Sequence, residues 1–511
     1  MAEEIQLESQ ASSIGPQKVD SAVVPVDPAA SPTQSQPPRH PASSSQSQNH
    51  DQLAVGHHII QIGSVHGGIV QIAAPEQQPQ ISLRATPVFV LPRPFAGLLG
   101  RQTEIAMAIA TLQTKAPVEL YSGSGFGKSV LLRHLAYDPQ VTLPFPHGTI
   151  YLEPSLSQPV SDVLQALFDL FCQSDIPFKP TDMQIRQALQ HRQALILLDD
   201  QHLQRREVET LMNAVPGCTF FLASPERRLE EGRSLLLPGL PLPEALVLIE
   251  RELGRALTDV EKPSAQALWN LLEGNPRHLL YAAGQVRNQP ITLAELVRQM
   301  RSASPLQALI QNILTALSER QEWVLAGLAA LSGIGLLAKQ AAALTDLPDA
   351  ETILETLQQA RLVQGEGSRY SLSQTLTTSV QQTWDLTAWR ERALHYFSAW
   401  AEQHQADPSQ LLENMDAIAQ VLQFAVSTEQ WAVTLQLVRV IEGTLALSKQ
   451  WGLWARVLEW GLLAARSLGD SAAEAWALHQ LGTRALCLEN IAIARELLTQ
   501  ALQLRAALGD G

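Results

Sequence analysis

The chain has 511 residues, enough for about three to four domains with substantial cores. Its 36 basic and 50 acidic side chains give a formal net charge of −14, which argues against a broad cationic surface for nucleic acid. Three cysteines, Cys172, Cys218 and Cys487, stand far apart inside apolar stretches, which suits buried thiols in a reducing compartment rather than a disulfide framework.

Residues 1–56 are dominated by Ser, Gln, Pro and Ala and carry too few large apolar groups to offset the entropy of ordering, so this segment is expected to be disordered. Met1 to Ile5 has neither the basic nor the apolar stretch of a secretory signal. Between His57 and Ala74, Ile60 and Ile62 alternate with Gln61, and Val70 and Ile72 with Gln71, around Gly67-Gly68. That pattern predicts a small β-hairpin within 57–90, docked on the body or paired with another copy. His57, His58 and His66 lack the nearby Cys or carboxylate that would make them a metal site.

From 91 to 235 short apolar runs alternate with helical spacing. Val118 to Leu120, Thr149 to Leu152, Ala194 to Leu198 and Thr219 to Ala223 read as buried parallel strands, and Val160 to Phe171 as a helix. The pattern predicts a doubly wound α/β domain. Tyr121-Ser122-Gly123-Ser124-Gly125-Phe126-Gly127-Lys128-Ser129 follows the first strand and leads into Val130-Leu131-Leu132, the layout of a phosphate cradle. Glycines let successive N–H groups converge on anionic oxygens, the new helix adds its positive end, Lys128 supplies charge, and Ser129 can ligate Mg²⁺. Ser122 stands where the first glycine of such loops is usual. About 70 residues on, Leu195 to Leu198 end in Asp199-Asp200. At the C-terminal edge of a parallel sheet the first carboxylate suits Mg²⁺ and the second an attacking water.

Residues 236–300 read as helical, and 301–385 as helices closed by a hairpin, with Leu362-Val363-Gln364 and Tyr370-Ser371-Leu372 flanking Gly365-Glu366-Gly367 in the outline of a winged helix. The most apolar stretch, Trp323 to Ala338, is shorter than a membrane span and is broken by Ser332-Gly333-Ile334-Gly335, so a soluble, cytoplasmic protein is expected. Over 386–511 the pattern repeats: Trp451 to Asp470 lies over Ile491 to Asp510 at an offset of about 40 residues, within the range of helix-pair arrays. Gly482, Ala494, Leu498 and Ala501 hold positions that let paired helices pack closely, as in tetratricopeptide repeats.

From about Pro92 to Gln382 the sequence resembles the NB-ARC (AP-ATPase) type of signal-transduction ATPases with numerous domains. Leu98-Leu99-Gly100-Arg101-Gln102-Thr103-Glu104 is similar to the family motif whose backbone and Arg contribute to the nucleotide pocket. Phe221 to Arg227 is similar to the strand whose Arg faces the terminal phosphate, with Arg228 as the neighbouring candidate. Gly274-Asn275-Pro276 resembles the segment whose proline packs on adenine. The resemblance implies that Gly100, Arg101, Gly123 to Val130 and Pro276 bind ATP or ADP, that Ser129 and Asp199 hold Mg²⁺, and that Lys128, Asp199, Asp200 and Arg227 serve slow hydrolysis. Ser373 stands where relatives often carry a His that senses ADP. The expected function is a nucleotide-dependent switch, with a protein partner at the repeats and nucleotide-dependent self-association. A DNA-binding regulator using the winged helix and a nucleotide-binding scaffold without turnover are the alternatives. No helix face in the winged-helix stretch is strongly basic, so nucleic acid is not expected as a partner. Residues 1–90 contain no arrangement of an effector enzyme.

Overall fold

The computed structural model describes residues 79–175, 178–200, 202–301 and 304–509. The expected disordered segment 1–56 and the expected hairpin between His57 and Ala74 lie outside them. The eleven strands of these residues are β1 (Ile81–Leu83), β2 (Val88–Val90), β3 (Val118–Tyr121), β4 (Gly148–Leu152), β5 (Cys172–Ser174), β6 (Leu195–Asp199), β7 (Thr219–Ser224), β8 (Arg233–Leu236), β9 (Leu336–Leu337), β10 (Val363–Glu366) and β11 (Arg369–Leu372).

Six of them form one sheet in the order β2-β4-β6-β7-β3-β8, with every pair parallel. β6 and β7 are buried at every position, which is why they read as unbroken apolar runs rather than alternating ones. The period of two still sorts their side chains. Ile196, Leu198, Phe220 and Leu222 pack with the helices Val160–Phe171 and Arg205–Ala214. Leu195, Leu197, Phe221 and Ala223 pack with the helices Gln102–Gln113 and Lys128–Leu135. The expected strands are all present. β2 joins ahead of the expected start at 91, and Gly148 explains the fit: its φ is +111°, and a Cβ there would lie 1.9 Å from the Val88 carbonyl oxygen. β1 pairs separately and antiparallel with β5.

Beyond the sheet the chain is helical, and one apolar cluster runs from Leu240 to Leu458. β10 and β11 form the expected hairpin in the register Val363↔Leu372, and β9 adds to β11. The repeat is visible in the helices Trp451–Leu468 and Ile491–Leu508, and Gly482 lets Leu498 approach so closely that a Cβ would come within 2.7 Å of its Cγ. Cys172 is buried, Cys218 and Cys487 are half-buried, and all three are free thiols. Among the described residues no helix is long and apolar enough to cross a membrane, and no group of three His, Cys, Asp or Glu is placed to hold a metal.

The helical array returns to the α/β layer. The helix Trp451–Leu468 has no side-chain cap of its own, its N-cap residue being Gln450. Asp162, 4% exposed, supplies one from the helix Val160–Phe171, accepting from Gly452 N at 2.7 Å and Leu453 N at 3.0 Å. Lys449 pairs with Asp169 at 3.1 Å, and Ser157 donates to Asp416. Gly452 sits so close that a Cβ would lie 2.5 Å from Ser161 Oγ.

Asp162→Ala is expected to cost about 0.5–2 kcal/mol, the range for removing a cap, and denaturant unfolding checks it. A second prediction concerns Glu442, which burial pushes up to about 7, the Trp454 indole pulling the other way. The folded carboxyl keeps its proton up to about 7, whereas the unfolded one releases it near its ordinary 4.5, so folded-state stability falls as pH rises across that interval. Glu442→Gln is expected to raise the melting temperature at pH 8 and leave it nearly unchanged at pH 5.

Candidate functional site

The loop between β3 and the helix Lys128–Leu135 occupies the C-terminal edge of the sheet. Gly125 and Gly127 have φ of +87° and +93°, and Gly127 is the N-cap of a helix with no side-chain cap, which leaves its first N–H groups open to an anion. A Cβ on Gly127 would meet nothing within 4 Å, so the space over the helix start is open. Ser122 is held at the strand end, its N–H donating to Ser224 O at 3.3 Å, without the positive φ that would require glycine. Lys128 is half-buried and donates to Ser122 O at 2.6 Å and Gly123 O at 2.8 Å, folding back over the loop. Burial pushes its amine down to about 8, against the pull of Asp199.

Ser129 Oγ donates to Asp199 Oδ1 at 2.9 Å, and the Tyr151 hydroxyl donates to Asp199 Oδ2 at 2.8 Å. Asp199 is 5% exposed, and burial raises its carboxyl above the usual range while these two bonds and Arg133 oppose the shift. β7 lies between β3 and β6, so loop and carboxylate reach one another across a strand rather than from neighbours. Beside them, at the end of β4, Glu153 lies 3.3 Å from the Tyr151 hydroxyl and 3.4 Å from Arg133, which also reaches Glu366 of β10 at 3.4 Å. Partial desolvation first and Asp199 second push Glu153 above its ordinary value, although half of its side chain remains exposed.

Two positions differ from the sequence expectation. Asp200 does not face an open cleft. It is 1% exposed, its Oδ1 accepts from His202 N at 2.8 Å and Leu203 N at 2.9 Å, and its Oδ2 is paired with Arg228. Arg227 is exposed, and Arg228, the neighbour, turns inward. Glu119 on β3 explains why the chain bends that way. Wholly buried, it accepts from Ser224 Oγ at 2.7 Å, Arg228 N at 2.8 Å, Ser234 Oγ at 2.9 Å and Leu229 N at 3.2 Å, which fixes the turn after β7. A Glu inside the apolar strand just before the loop was the signal for it, unread in the sequence.

Three further elements converge on the loop. Arg101, 4% exposed with φ of 78°, donates to Phe126 O at 2.9 Å and Pro238 O at 2.7 Å and pairs with Glu104 at 3.2 Å. Gly100 precedes it with φ of +65°. Asn275 caps the helix Pro276–Asn288 with its side-chain oxygen and donates its amide to Ser124 O at 3.0 Å, while Arg277 N donates to Gly125 O at 3.3 Å. A Cβ on Gly125 would come 2.7 Å from Asn275 Oδ1. Pro276 opens that helix half-buried beside the loop, and Val130 is half-buried in the helix the loop leads into. Ser373 caps the helix Gln374–Thr383 and shares a 2.6 Å hydrogen bond with the Tyr281 hydroxyl, so it is occupied within the helical part. Asn275, Arg277, Tyr151, Arg133 and Glu153 were missed from the sequence because their roles depend on packing between distant segments.

The donor set fits a polyphosphate with a divalent cation: an uncapped helix start, one amine, and a hydroxyl–carboxylate pair of hard oxygens. No protein-family model matches the sequence. No curated protein matches it either. Among solved structures the chain is similar to a signal transduction ATPase with numerous domains (STAND) protein with a tetratricopeptide repeat sensor from Pyrococcus horikoshii, with a TM-score of 0.50 and 14% identity over 81% of this chain and 66% of that one. The chain thus spans slightly under two thirds of that structure's length. A Walker-type ATPase of Pyrococcus abyssi has a TM-score of 0.28 at 13% identity, over 57% of this chain and 98% of that one. Drosophila ORC bound to DNA has 0.28 at 15%, over 61% and 96%. The fold is that of a P-loop NTPase domain followed by a helical, repeat-like region.

The Asp200–Arg228 pair gives a stability prediction. Arg228→Met leaves a buried carboxylate without its partner and is expected to cost about 3–5 kcal/mol, whereas adding Asp200→Leu is expected to return part of that loss. Urea unfolding of the single and double variants checks both.

Proposed function

We propose that the protein is an ATP- and ADP-binding switch of the signal-transduction ATPase type, NB-ARC-like, in which nucleotide exchange controls opening and assembly. The observation that carries the reading is the convergence of an uncapped helix start, Lys128 and the Ser129–Asp199 pair on one edge of the sheet. Gly123 to Val130 would cradle the phosphates, with Lys128 neutralising their charge, and Gly100, Arg101 and Pro276 would border the nucleoside. Ser129 and Asp199 would hold Mg²⁺, which when bound supplies charge neutralisation at the phosphate oxygens. For this to happen Lys128 must exchange the carbonyl oxygens of Ser122 and Gly123 for phosphate oxygens, a trade that favours the charged amine.

The proposed division is an NTPase domain at 91–235, a helical lid at 236–300, a winged helix at 301–385 and tetratricopeptide-like repeats from 386. Contacts between the loop and Asn275 and Arg277, and between Arg133 and Glu366, support a closed arrangement that a partner at the repeats would release. Moving such a balance from 1:99 to 99:1 takes about 5.5 kcal/mol of differential binding. Self-association in the open form, slow hydrolysis and a cytoplasmic site of action belong to the same proposal.

Lys128→Ala is expected to weaken ATP and ADP binding by about tenfold to a hundredfold, the loss of one or two charge-assisted hydrogen bonds. Titration calorimetry checks it, and unchanged affinity overturns the reading.

A further inference from the structure

We propose that Glu153, and not Asp200, is the carboxylate that takes a proton from the attacking water; the proposal rests on the nucleotide reading above. A general base needs an oxygen free to accept. Asp200 has none to spare: two backbone N–H groups share one oxygen, Arg228 holds the other, and the side chain is 1% exposed. To reach a water it would have to abandon a buried guanidinium, a loss far larger than a proton-transfer step can recover.

Glu153 has the opposite character. β4 runs alongside β6 in the register Leu152↔Leu198, so Glu153 leaves the sheet at the same edge as Asp199. The Tyr151 hydroxyl spans the two, 2.8 Å from Asp199 Oδ2 and 3.3 Å from Glu153 Oε2. Arg133 holds that same Oε2 at 3.4 Å from the helix that begins with Lys128 and Ser129. Oε1 accepts from no group among the described residues, and the side chain is 54% exposed. One oxygen is therefore held and the other is open, beside the hydroxyl–carboxylate pair proposed to hold the cation. This is the arrangement that orients a base without consuming it.

The step balances without a further reactant. The water oxygen forms a bond to the terminal phosphorus of a nucleoside triphosphate, and the bond from that phosphorus to the bridging oxygen breaks. The bridging oxygen keeps the electron pair as the diphosphate leaves, and the water proton passes to Glu153 Oε1, from which it returns to solvent. Arg133 also carries Glu366 of the wing strand β10, so the element that orients Glu153 is shared with the winged helix.

The test compares the full chain with Glu153→Gln, Glu153→Asp and Asp200→Asn, measuring ATP affinity by titration and phosphate release at saturating ATP. Glu153→Gln is expected to lower phosphate release about 100-fold or more while affinity stays within about threefold, with partial recovery in Glu153→Asp. Asp200→Asn, assayed below its own melting temperature, is expected to lose stability yet retain turnover. Glu153→Gln releasing phosphate at the parental rate overturns the assignment, as does a folded, ATP-binding Asp200→Asn that is inert. If the parental chain binds ATP without releasing phosphate, this assignment falls and nucleotide binding stands. If it does not bind ATP, the nucleotide reading falls and takes the assignment with it.

Discussion

The bond between the hydroxyl of Ser129 and the carboxylate of Asp199 is the contact on which the rest of the site is arranged. It joins the first turn of the loop's helix to the tip of β6 across the intervening β7. A carboxylate this buried is tolerated only where its oxygens are satisfied, and Ser129 and Tyr151 satisfy one each. The chain holds these groups together with apolar layers on both faces of the sheet and with a second buried carboxylate, Glu119, that fixes the turn behind them. Two acids with different surroundings therefore have different tasks. Glu119 is saturated by four donors and shapes backbone, whereas Asp199 is held by two hydroxyls, one of them from the first turn of the loop's helix.

Much of this was legible in the chain because its signals are local. Four strands announce themselves as apolar runs, the loop by glycines ending in Lys128-Ser129, and the hairpin of β10 and β11 by Gly365-Glu366-Gly367. What was not legible depends on which segments meet. β2 is three residues long and two of them, Phe89 and Val90, are exposed, so nothing in its pattern distinguishes it from a linker until Gly148 admits it to the sheet. Asp200 looked like the second half of a catalytic pair, and only the inward turn of Arg228 shows that it is engaged. Spacing along a sequence places an acid at a strand end, but not which cation will arrive from another.

The contacts that Asn275, Arg277 and Glu366 make at the loop and its helix share one feature: each is polar. Asn275 and Arg277 touch the carbonyls of Ser124 and Gly125, and Arg133 stands between Glu153 and Glu366. Polar contacts of this kind are exchangeable with water at modest cost, in contrast to the continuous core that joins the helical parts to one another.

The carboxylate of Asp162 at the start of the helix Trp451–Leu468 has a further consequence. A helix that borrows its cap begins properly only while the lender is present. Excision of the helices from Thr387 onward would leave Gly452 and Leu453 with dangling amides and a frayed opening turn, so the helix Trp451–Leu468 depends on the α/β layer for its start.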